Sequence, residues 1–159
     1  MLKVRRTPVR KKDVLKTIEK ARIMGIEIPS FDFNQGELME VNGNFILIVD
    51  KKPILVRDRE GHVFPHILAL KFVTCKTVTV DDGAVPHVLR GADIMIPGVL
   101  SYDEFDFGSV VVVKDRLGRS LGTGIAIMAS KEMEARKRGK IIRILHRIND
   151  KLYEIVREL

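Results

Sequence analysis

Lys11 to Met24 places Val14, Leu15, Ile18, Ala21 and Arg22 at three- and four-residue spacing, with polar residues between them and Gly25 behind. That period predicts an amphipathic helix whose solvent face carries Lys12, Lys16, Lys20 and Glu19. Residues 1–12 lack any such pattern and read as a basic arm that buries little. From Gly36 the period changes to that of strands. GELMEV and NFILIVD flank Asn42-Gly43, a pair suited to the positive φ angles of a tight hairpin turn. Lys51-Lys52-Pro53 predicts a second turn, Ile54 to Arg57 a third strand, Glu60-Gly61 another turn and Pro65 to Phe72 a short helix.

Beyond a boundary expected near Lys71 to Lys76, the chain is dense in β signals. A strand-like run leads to Val80, Ile94 to Ile96 reads as a short strand, Val110 to Val113 as another, and Lys114 to Gly118 as a turn. Ser120 to Ala129 returns as a strand interrupted by Gly122 and Gly124, which in a small barrel mark a bend or bulge. Met133 to Gly139 is a short charged segment and Ile141 to Leu145 a further strand. Asn149-Asp150 can cap a last helix, Lys151 to Leu159. The expectation is an α+β chain: residues 1–74 a helix plus an antiparallel meander, residues 75–159 a β-rich domain.

Charge changes the picture more than overall composition does. The formal charge is +7, and it is unevenly placed: residues 1–22 carry 9 Lys/Arg against 2 acids, residues 23–130 carry 10 against 14, and residues 131–159 carry 9 against 5. Basic ends on an acidic middle favour a polyanion-facing surface, with nucleic acid preferred over a membrane because neither end has an aromatic-rich inserting face. No apolar run approaches the ~20 residues of a membrane span. MLKVRRTPVRKK also lacks the apolar core of a signal peptide, so the cytoplasm is the expected compartment. Cys75 is the single cysteine, which excludes an internal disulfide or a thiolate zinc cluster within the chain.

Enzyme signatures are absent. No Gly-Lys-Ser/Thr of a phosphate loop and no Gly-x-Ser-x-Gly elbow occur, and Gly122-Thr-Gly124 lacks the third glycine of a dinucleotide site. His62 and His66 stand four apart, but Pro65 between them argues against one helix presenting both to a metal, so no metal and no cofactor are expected. His87 and His146 suit structural or surface roles. Asp81-Asp82 admits a paired-carboxylate reading for a small hydrolase or transferase, against a cap and turn. The basic clusters are the stronger candidates: Lys3, Arg5, Arg6, Arg10, Lys11 and Lys12 at one end, and Lys131, Arg136, Lys137, Arg138 and Lys140 at the other. Such residues neutralise phosphates, holding RNA without reading it. With aromatics at 6% and no tryptophan, a base-stacking platform is poorly supported, and shape recognition of structured RNA fits better.

The densest motif is VTVDDGAVPHVLRGADIMIPGVL, Val78 to Leu100. Asp82 stands where an N-cap would, Ala84 to Leu89 form a short helical body, Gly91 can end it in the left-handed conformation, and Pro97-Gly98 suits a type II turn. Through Asp82-Gly83-Ala84, Leu89, Gly91-Ala92-Asp93, Met95 and Pro97-Gly98 this segment resembles the PUA domain, an RNA-binding module. Gly108-Ser-Val-Val-Val-Val, Gly122-Thr-Gly-Ile-Ala and Asn149-Asp150-Lys-Leu-Tyr153 follow in matching order. A helix-plus-meander domain ahead of it is similar to the malignant T-cell-amplified sequence family and its archaeal relatives. Tyr153 departs from the Trp frequent in eukaryotic members, which loosens transfer of their partners.

The resemblance implies a C-terminal PUA β-barrel-like domain and a role with the small ribosomal subunit in initiation, reinitiation or recycling. It implies structured rRNA or tRNA as ligand and leaves the N-terminal domain for a protein partner. The alternative is a guide subunit that delivers tRNA or rRNA to a separate modifying enzyme. RNA is expected against the short helix and the following strand, at Gly83, Ala84, Arg90, Gly91, Met95, Pro97 and Gly98. Arg90 is the favoured direct ligand. Gly91 and Gly98 also have structural reasons to be small, as helix stop and turn.

Overall fold

The computed structural model describes residues 3–158; Met1, Leu2 and Leu159, the ends of the expected domains, lie outside them. The chain divides into two compact units, one running to Thr74 and the other from Cys75 to Glu158.

The first unit is a five-stranded antiparallel sheet in sequential order: β1 (Val4–Val9), β2 (Gly36–Val41), β3 (Asn44–Val49), β4 (Lys52–Arg57) and β5 (Val63–Pro65). Helix α1 (Lys11–Ile23) joins β1 to β2 and buries Val14, Ile18 and Ala21; a Cβ on Gly36 would collide with Val14, so the helix lies directly on the β2 backbone. Leu15, expected on the apolar face, is 49% exposed. Asn42 and Gly43 both take positive φ (50° and 79°), as the hairpin between β2 and β3 requires. The next turn is centred on Asp50 and Lys51, also at positive φ, while Pro53 lies inside β4. Residues 63–65 extend as β5, and only Ile67–Ala69 form a helical turn where a longer helix was expected.

The basic arm is the main correction here. Residues 4–9 are an edge strand paired with β2 from Val4↔Val41 to Val9↔Gly36. Arg5 reaches Glu40 at 2.6 Å, Arg6 reaches Glu37 at 2.7 Å and Arg10 reaches Asp13 at 3.2 Å. The strand is exposed along most of its length, so no alternation betrays it.

In the second unit six strands form a nearly closed, barrel-like sheet in the order β7 (Ile94–Met95), β11 (Lys140–Arg147), β10 (Ser120–Ala126), β9 (Val110–Lys114), β6 (Lys76–Val80), β8 (Val99–Tyr102). Only β6 and β9 run parallel. Its two edge strands are consecutive in the chain, joined by the helical turn Ile96–Gly98, so three residues bridge the gap in the ring. The interior is filled by Val78, Val80, Val88, Ile94, Phe105, Val111, Val113, Ile141 and Ile142, among others. Gly122 and Gly124 sit at the register shifts of β10, where Cβ atoms would meet the carbonyl oxygens of His146 at 2.6 Å and Arg143 at 2.5 Å. Helices α2 (Val85–Leu89), α3 (Glu132–Arg136) and α4 (Lys151–Arg157) complete the unit. No helix among the described residues is long and apolar enough to cross a membrane.

Candidate nucleic-acid interface

The loop into α2 is built by one carboxylate and one carbonyl. Asp81 donates its N–H to the Gly98 carbonyl (2.9 Å), and its Oδ1 accepts the Ala84 N–H (2.8 Å). This work was expected of Asp82, which instead meets the Arg116 guanidinium at 3.2 Å across the surface. The two acids are thus separately engaged and do not form a paired-carboxylate centre. Gly98 is not in the positive-φ region that a type II turn would need. It belongs to the Ile96–Gly98 helical turn, and a Cβ there would press on Ala84 at 3.3 Å. Gly91 does take φ +90° and ends α2 as expected, and the space a Cβ would use is bordered by the Arg147 guanidinium at 3.2 Å.

These elements enclose an open groove of about 810 Å³ lined by Gly83, Ala84, His87, Gly91, Met95, Pro97, Gly98 and Lys140, with Asp81 and Asp93 in its wall. Six of the seven residues expected against the short helix and the following strand therefore share one surface. Arg90 does not line it: it is exposed at the C-cap of α2. Lys140, which sequence reading grouped only with its basic neighbours, reaches the groove by pairing with Met95 across β7 and β11. Its Nζ lies 3.4 Å from Asp93 Oδ2, while Asp93 Oδ1 accepts the Ile144 N–H at 3.1 Å. The Ile96 N–H donates to the Gly139 carbonyl at 2.8 Å, which anchors the basic loop after α3 beside the groove. In that loop Lys137 takes a left-handed φ of 56° and is exposed together with Arg138; Arg136, the last residue of α3, is 3.9 Å from Glu132, and Lys131 is exposed at the other end of the helix, as its N-cap.

Arg147 was missed. It follows the strand signal and carries no motif, but its N–H donates to Asp150 at 2.9 Å and its guanidinium donates to the Ile148 carbonyl at 3.2 Å, beside Gly91. Asp150 also caps α4 through the Tyr153 N–H (2.8 Å) and meets the buried His146 ring at 2.7 Å. Burial pushes the Asp150 carboxyl up, but the His146 ring and the two N–H groups outweigh it and hold its pKa below the ordinary carboxylate value.

Among the N-terminal cations, Arg5, Arg6 and Arg10 are ion-paired, Lys11 Nζ lies 5.1 Å from the Phe33 ring centre, and Lys12 is exposed. They belong to the first unit, not to the groove. His62 and His66 do not converge: His62 pairs with Asp58 at 3.0 Å, and buried His66 caps the helical turn that follows it.

The PUA domain family matches residues 76–148, which contain the whole groove. An uncharacterized protein of Methanocaldococcus jannaschii is 35% identical and aligns over 90% of this chain and 91% of its own. Malignant T-cell-amplified sequence 2 of mouse is 30% identical over 75% of this chain and 65% of its own length. Translation machinery-associated protein 20 of fission yeast is 30% identical over 72% and 67%. The chain thus spans about two thirds of the length of these two eukaryotic relatives. A solved PUA-domain structure from Aeropyrum pernix, 26% identical, superposes with a TM-score of 0.83 over 98% of this chain and 92% of the other.

Proposed function

Because this chain belongs to the malignant T-cell-amplified sequence family of PUA-domain proteins, we propose that it is an RNA-binding protein of the translation apparatus, docking structured rRNA or tRNA on the small ribosomal subunit. It acts by binding rather than by catalysis. The observation that carries this reading is the groove itself: glycine, alanine and proline keep its wall low enough for a ribose-phosphate backbone to approach the main chain. Lys140 and the loop of Lys137 and Arg138 stand beside it as phosphate partners. Met95, 46% exposed, offers an apolar surface to a sugar or base.

RNA crosslinked to the full chain in cells, with sedimentation of the lysate, tests the reading. Crosslinks in small-subunit rRNA or tRNA, cosedimentation with small subunits, and loss of both in a Lys137→Ala/Arg138→Ala/Lys140→Ala variant are expected. Copurification with one modifying enzyme and a single tRNA, away from ribosomal subunits, would replace it with the guide-subunit reading. Unchanged crosslinking in the triple variant would remove the groove as the site.

A further inference from the structure

The first unit carries a second concave surface, unlike the first in chemistry. Helix α1 covers only part of the sheet face it packs on. Beside it Leu38, Phe45, Leu47, Leu55 and Val63 form the floor of a groove of about 290 Å³, with Met24 at its helix side. Met24 is 47% exposed and its chain neighbour Ile23 is 80% exposed, so the apolar surface continues past the rim. Every charge that lines the groove is positive: Lys20 from the helix, and Arg57, whose guanidinium stands 4.7 Å from the centre of the Phe45 ring. Lys16 precedes Lys20 by one helical turn and is exposed. Neither Lys20 nor Arg57 is in an ion pair among the described residues, whereas Arg5, Arg6 and Arg10 of the same unit all are.

We infer that this groove docks an acidic amphipathic segment of a protein partner, a helix whose leucine-like side chains enter the groove while flanking carboxylates meet Lys20 and Arg57. Three features select that occupant. A depression of this volume accepts a few aliphatic side chains and not a folded domain. Its walls are one helix and one sheet face, the arrangement that receives a helix through anchors at i, i+3, i+4 and i+7. Its rim carries two cations and no carboxylate, which complements a negative partner and repels a basic one. RNA shares the charge but not the apolar floor, where Leu38, Leu47 and Leu55 offer a phosphate backbone nothing to bond. The inference does not depend on the RNA reading of the other unit.

The test is selection of a phage-displayed random 16-residue peptide library on the full chain, followed by affinity measurement of the best synthetic peptide and mapping of its amide shifts. An enriched pattern of aliphatic residues at helical spacing with Glu or Asp flanks is expected, with shifts at Lys20, Met24, Phe45 and Arg57. Lys20→Glu and Met24→Glu, both at exposed positions, should each weaken that peptide at least tenfold with an unchanged melting curve, and 0.5 M salt should weaken it too. Failure to enrich any sequence, a basic consensus, or affinity that survives both substitutions overturns the proposal. So does a short RNA that shifts the same amides and displaces the peptide.

Discussion

Arg90, Gly91 and Lys140 make different demands on a substitution. Gly91 is held at φ +90° with Arg147 beside it, so Gly91→Val meets backbone strain and a displaced guanidinium and should cost on the order of 1–3 kcal/mol in thermal melting. Lys140→Ala and Arg90→Ala remove exposed side chains and should leave the melting temperature within a degree or two. Their RNA affinities separate them: Lys140 lines the groove, so its loss should weaken binding by about 1 kcal/mol, and Arg90, outside it, by less. Equal losses measured by anisotropy would place the RNA on the α2 end instead. Asp150 offers a pH test. Its folded-state pKa is depressed, so it stabilises the fold above the unfolded value near ~3.9, and that contribution is lost as pH falls through the lower folded value. Asp150→Asn should therefore flatten the acid limb of a stability profile below about pH 4 and, at neutral pH, cost roughly 1–2 kcal/mol, because one oxygen can still cap α4 but an amide in place of Oδ2 cannot accept the Arg147 N–H. An unaltered acid limb would refute this. Gly91 and Asp150 were legible in the sequence because their roles are local. Gly98 was not, since its smallness answers to Ala84, a neighbour that only the fold supplies.

Most elements with a buried face were legible, β5 and the turn Ile67–Ala69 excepted, and those with none were opaque. Helix α1, the Asn42-Gly43 hairpin and the glycine-interrupted β10 all announce themselves by period or by positive φ. Strands β1 and β8 stayed hidden because VRRTPV and VLSY are exposed along nearly all of their length, and an edge strand open to solvent has no alternation to show. The consequence for β1 is testable. Deleting residues 1–9 removes six paired residues and strips the Arg5 and Arg6 partners from Glu40 and Glu37. The exposed ion pairs themselves contribute little, about 0–1 kcal/mol each, but β2 is left as a bare edge. The truncated chain should melt several degrees lower and aggregate more readily; a melting curve identical to that of the full chain would return these residues to the status of a loose arm.

For the molecule as a whole, net charge overstates what RNA can use. The N-terminal excess that dominates the sequence is partly spent on Glu40, Glu37 and Asp13, whereas Lys131, Lys137 and Arg138 stand exposed in the unit that holds the groove, with Lys140 beside Asp93. If roughly four or five phosphates are neutralised there, log K against log salt should fall with a slope on the order of −4 for a duplex-like RNA. A slope near zero would remove electrostatics from the mechanism. That the two ends are basic was plain from the sequence; that Arg5 and Arg6 of one end are ion-paired in place required the β1–β2 register. The turn Ile96–Gly98 adds a last point, because it is at once a wall of the groove and the only covalent link between the edge strands of the second unit. An RNA that bound on that seam would bind the folded unit and not the unfolded one, so its affinity would be linked to folding. RNA at a hundred times its Kd would add about 2.7 kcal/mol to the unit's stability. By reciprocity, any change that loosens the seam is felt as lost affinity even where it touches no RNA.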